Sequence, residues 1–176
     1  MTTTPAAGTI TGERADLLAT LAKHRHFLRF PARGLTDAQA RTRTTVSELT
    51  LGGLIKHVTE VEARWARFIV EGPSAMGDSD DAAAGERHAQ TFRMEAEDTL
   101  DTLLAAYAEV ATRTDELVRT LPDLDAAQSL PAAPWFEPGA RWSARRVLLH
   151  VIAETAQHAG HADIVREAID GAKSMG

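Results

Sequence analysis

The stretch His150–His161, HVIAETAQHAGH, carries four side chains able to bind a metal: His150, Glu154, His158 and His161. Spacings of four, four and three stack such side chains on one face of a helix. The same face continues through Val147, Val151 and Val165, so a carboxylate and two imidazoles occupy positions expected to point into a core. Burying ionisable groups without partners costs on the order of several kcal/mol for a charged one. A divalent cation removes that cost, and imidazole with carboxylate is a common ligand set for zinc and its first-row neighbours. One helix supplies only one edge of a coordination polyhedron. His57, between Leu54 and Val61 on another apolar stripe, is the best partner for Glu154 and His158. Three ligands leave positions open for water or substrate, as in catalytic sites. On these grounds alone two other readings stay open: His57 as a hydrogen-bonded core histidine, and Glu154, His158 and His161 as the lining of a polar cleft.

These residues need helices to hold them. Leu17, Leu18, Leu21, Phe27 and Leu28 predict a first helix over about Gly12–Phe30, stopped by Pro31. Leu35–Gln39 reads as a short turn capped by Thr36. Leu51, Leu54, Ile55, Val58, Val61, Trp65, Phe68 and Ile69 predict a second helix over Thr50–Glu71, ended by Gly72-Pro73. Gly72–Gly85 reads as a mobile acidic loop, and Asp78–Asp81 within it lacks the pattern of a calcium loop. A third helix is expected from about Ala96 to Leu121. Pro122–Ala140 reads as a Pro-rich loop anchored by Trp135-Phe136. The fourth helix should start after a Ser143 cap and run to Asp170, with Gly171 as its stop. No strand alternation is evident. The expected fold is an all-α, single-domain four-helix bundle over residues 12–171, preceded by a flexible tail over 1–11.

Composition narrows the chemistry. A net charge of −6, with scattered basic residues, argues against nucleic acid as partner. The chain has no cysteine, which excludes disulfides, thiolate metal sites and a cysteine nucleophile. No apolar run has the ~20 residues that span a bilayer, and no secretory signal is visible. A cytoplasmic protein without a membrane partner is the expectation. There is no Gly-rich phosphate loop and no nucleophile elbow. A di-iron centre would need a second Glu/His set. His24, His26 and His88 read as solvated, as do Glu60 and Glu62, although either glutamate could reach the mouth of the site. Trp65, Trp135 and Trp142 read as core or pocket wall. Arg64, Arg141 and Arg145 lie on elements that could meet an anionic substrate or solvent.

Two phrases carry a family likeness. TLGGLIKHVTEVEARW (Thr50–Trp65) and WSARRVLLHVIAETAQHAGHADIVREAIDG (Trp142–Gly171) closely resemble the DinB-like superfamily, and in particular its actinobacterial branch with mycothiol-dependent enzymes. The likeness covers most of the chain from Glu13 to Gly171, with Asp78–Arg93 outside it. It implies an up-down-down-up four-helix bundle with one divalent ion, zinc or nickel. It lays the ligand positions on His57, Glu154 and His158, with Glu154 where many members carry histidine. It implies a metal-dependent thiol S-transferase in which mycothiol, as cosubstrate thiolate, attacks a small electrophile. His161, where many members have glutamine, is then ligand, supporting group or catalytic proton carrier, and His150 supports the ligands. Alternatives within the resemblance are a thiol-dependent maleylpyruvate-type isomerase, a metal-dependent hydrolase, or a non-catalytic metal- or ligand-binding stress protein. A homodimer is compatible with such bundles.

Overall fold

The computed structural model describes residues 10–77 and 84–174. The acidic Asp78–Asp81 and most of the expected tail lie outside the described residues. Helices occupy α1 (Glu13–Arg29), α2 (Asp37–Arg41), α3 (Leu51–Glu71), α4 (Ala84–Thr91), α5 (Leu100–Thr120) and α6 (Ala144–Asp170). Strands β1 (Ala127–Ser129) and β2 (Arg141–Ser143) form a small antiparallel ribbon, with Gln128 opposite Trp142. No described helix is long and apolar enough to cross a membrane.

Local chemistry sets the helix ends. Thr50 and Ser143 accept hydrogen bonds from the backbone N–H of Gly53 and Arg146, satisfying donors that a helix start leaves free. Thr36 and Thr99 form reciprocal capping boxes with Gln39 and Thr102. Gly171 closes α6 in the left-handed conformation, as the sequence predicts. Three expectations are corrected. Gly72–Met76 is a 3-10 turn rather than open loop. Ala84–Thr91 is an additional helix. Two three-residue strands flank the Trp135-Phe136 loop; they are too short to show alternation.

Side-chain contacts fix the topology. Arg145 at the start of α6 pairs with Glu13 at the start of α1, and Arg166 near the end of α6 bonds the carbonyls of Pro31 and Arg33 beyond α1. Those two helices are therefore parallel. Lys56 and Asp98 join the beginnings of α3 and α5. Arg14 reaches the carbonyls of Val118 and Leu121 at the far end of α5. The order is up-down-down-up.

The core has two apolar halves. One gathers Leu28, Leu54, Val58, Leu103 and Ala162; the other gathers Leu21, Phe68, Val118, Val147 and Val151. Between them, apart from the buried histidines His57 and His158, each long helix contributes one buried polar residue: Arg25, Glu62, Thr114 and Thr155. Arg25 donates to both Glu62 oxygens, at 2.5 and 3.2 Å, and to Asp115 at 2.7 Å. This corrects the solvent-facing expectation for Glu62, which is fully buried. Its place between Val58 and Trp65, and that of Arg25 between Leu21 and Leu28, keeps the helix period of the core.

Candidate metal centre

Antiparallel α3 and α6 bring the first half of one helix against the second half of the other. His57 thereby meets His158, their rings 4.9 Å apart and edge to face. Ligand atoms of His57, Glu154 and His158 all lie within 4.8 Å of one another. Both histidines are buried and Glu154 is half-buried. The donor set suits a divalent ion: two imidazoles and one carboxylate can share a single cation without a large shift.

The protonation chemistry favours ligation. Burial, aided by the nearby His158, His88 and Arg64, lowers the His57 pKa to about 4 despite the Glu154 charge. Neutral imidazole is the form that binds metal. The His158 ring, with Nε2 3.6 Å from its carboxylate, holds Glu154 below the usual carboxylate range. Burial likewise lowers His150.

Other expected residues fall into different places. His161 is half-buried, and its Nδ1 lies 3.3 Å from His158 Nδ1, outside the three-residue cluster. The core line of α6 runs through Thr155, Ala159 and Ala162, leaving Glu154 and His161 on its flank rather than at its centre. His150 sits edge-on to both Trp65 and Trp142, which stack on each other at 4.9 Å. Arg145 turns to Glu13 and Asp125, and Arg141 to Ser129 and Ala127. Of the three arginines singled out above, Arg64 alone lines the cavity beside the cluster.

That cavity measures about 810 Å³. His57 and Glu154 lie in its lining, together with Val61, Trp65, Met76 and Phe136. Trp135, 73 % exposed, joins the lining as a rim residue rather than core. This is ample room for a small organic molecule over largely apolar walls. Sequence reasoning missed His88, Thr91 and Phe92. His88 is exposed yet lies edge-on to His57, Phe92 stacks on the His57 ring, and Thr91 Oγ1 is 2.8 Å from His57 Nδ1. Their spacing of three and four was the available signal.

A four-helix bundle with a His–Glu–His cluster of two buried imidazoles and a half-buried carboxylate beside an organic-sized cavity defines the class of molecule. Comparison with known families then places the chain: the family model for mycothiol S-transferase matches residues 16–171, and the protein belongs to that family, within the DinB-like group it resembles. A solved structure of a conserved protein from Enterococcus faecalis is similar over 93 % of this chain and 100 % of its own, with a TM-score of 0.63 and 16 % identity. At that identity it speaks for the fold alone. No functionally curated protein matches the sequence.

Proposed function

We propose that the protein is a metal-dependent thiol S-transferase that uses mycothiol as cosubstrate. The observation that carries this reading is the meeting of His57, Glu154 and His158 beside the 810 Å³ cavity, in a member of the mycothiol S-transferase family. A bound divalent ion, zinc or nickel, supplies positive charge that favours the thiolate over the thiol at neutral pH. The chain has no cysteine, which agrees with a nucleophilic sulfur supplied by the cosubstrate.

In this reading His57, His158 and Glu154 hold the ion, with Glu154 offsetting part of its charge. Val61, Trp65 and Phe136 keep the electrophile out of bulk water. The sulfur lone pair forms the new S–C bond, the electrophile's leaving group departs with its bonding electrons, and the thiol proton passes to solvent or a neutral imidazole at the cavity. His161, whose Nδ1 lies 3.3 Å from His158 Nδ1, either orients that ring or carries the proton away.

Elemental analysis of the purified protein tests the metal, and conjugation of mycothiol to a chromogenic haloarene tests the activity. About one equivalent of zinc or nickel is expected, lost in His57→Ala and in His158→Ala together with turnover. Tight metal without turnover across thiols and electrophiles would leave a binding protein in place of an enzyme. His161→Ala separates two roles: weakened metal binding marks an orienting group, and a slower reaction at full metal occupancy marks a proton carrier.

A further inference from the structure

The segment His88–Met94 holds His57 from three sides. Thr91 approaches Nδ1, the Phe92 ring stacks at 3.8 Å with an 18° tilt, and the His88 ring closes edge-on at 5.4 Å. The Thr91 hydroxyl carries one hydrogen, which it donates to the His88 carbonyl at 2.7 Å. Toward His57 its oxygen can then only accept. Were Nδ1 bare, it would compete with the His88 carbonyl for that one hydrogen, and the Thr91 contacts to His57 and to His88 could not both be hydrogen bonds. A proton on Nδ1 lets both contacts form at once. The lone pair is then left on Nε2, the ring nitrogen that Thr91 does not engage.

The approach of this segment depends on two helix glycines. A Cβ on Gly53 would sit 1.8 Å from the Phe92 carbonyl oxygen, and one on Gly52 would sit 2.5 Å from Met94 Sδ. Glycine inside a helix costs roughly 1 kcal/mol relative to alanine, so a pair in the first turn of α3 needs a compensating contact. Gly53 lies four residues before His57 on the same face of α3. Its missing side chain is the space through which the chain carrying Thr91 reaches His57.

We propose that residues 88–94 are a positioning element: Thr91 fixes His57 in its Nδ1–H tautomer, presenting Nε2 for ligation, and Gly53 admits the backbone that carries Thr91. Thr91 acts through His57 and is a positioning residue. The purpose of the device rests on the metal reading above; its hydrogen-bond logic does not.

Long-range ¹H–¹⁵N correlation spectra of the metal-free, full-length protein report which nitrogen of His57 is protonated. The expected wild-type result is Nδ1–H, with movement toward Nε2–H in Thr91→Val and return in Thr91→Ser. Zinc affinity, read by competition with a chromophoric chelator, should fall about 10–100-fold in Thr91→Val and stay within about threefold of wild type in Thr91→Ser. Gly53→Ala should shift the tautomer as Thr91→Val does. A wild-type His57 protonated on Nε2 overturns the proposal without any variant. So does a Thr91→Val protein that keeps Nδ1–H, or a Thr91→Ser protein as impaired as Thr91→Val. A wild type showing Nδ1–H that takes up no zinc overturns the metal reading instead, and the tautomer assignment stands.

Discussion

Tyr107 is the single tyrosine of the chain and is 1 % exposed. Burial, reinforced by the Glu62 charge, pushes its phenol well above the ordinary value of 10. An acid whose folded pKa is raised loses stability as pH climbs past the unfolded pKa, because only the unfolded chain then releases its proton. Tyrosinate absorbance at 295 nm should therefore stay absent from the native protein near pH 10–11 and appear only with unfolding. A native-state titration near pH 10 would contradict the burial. Single residues were legible where a polar group broke an apolar period: Glu154 and His158 stood out that way, and His57 did so against Leu54 and Val61. Arg25 and Glu62 broke their stripes just as plainly. They were missed because a lone charge on a core stripe reads as a solvated flank until its partner is known, and this partner is 37 residues away.

At the scale of elements, the Arg25–Glu62–Asp115 contact ties α1, α3 and α5 at mid-height. Removing one partner of a buried pair strands the other, so Glu62→Ala should cost about 3–5 kcal/mol by urea denaturation. The double variant Arg25→Met, Glu62→Leu should recover most of that, since Asp115 is part-exposed and keeps Arg119 at 3.9 Å. If the double variant is no better than the single one, the layer is held by more than this pair. Thr50→Ala should lower stability by ~1 kcal/mol through loss of the α3 cap, measured the same way. The four long helices were readable because each presents a continuous apolar stripe. Helix α4 was not: it has eight residues, and its side chains from Gly85 to Gln90 are exposed, so no stripe marks it. The short ribbon before α6 fails the same way, being defined by its backbone pairing across the Trp135 loop rather than by any pattern within itself.

For the molecule as a whole, the candidate ligands lie on α3 and α6 and nowhere on α1 or α5. A ligand that binds the folded state alone stabilises it by about 2.7 kcal/mol at a hundredfold excess over Kd. Adding zinc to the chelator-stripped protein should raise the urea midpoint accordingly. The same addition to His57→Ala should raise it far less. An equal rise in both proteins would place the zinc elsewhere. The family match runs over residues 16–171, and the order of helices agrees with the resemblance. What the pattern could not convey was how segments between helices return to the site, because such returns depend on a hydroxyl and a missing side chain rather than on periodicity.

His57 and Glu154 are separated by about a hundred positions, with more than half of the bundle's residues between them. A growing polypeptide that has released α3 but not α6 offers a cation one of the three candidate ligands, too little to retain it. Capture by the full ligand set would wait until α6 has docked. An ion retained there would thus report that α6 has closed against α3, and ion uptake would be coupled to the assembled bundle rather than to chains still lacking that helix.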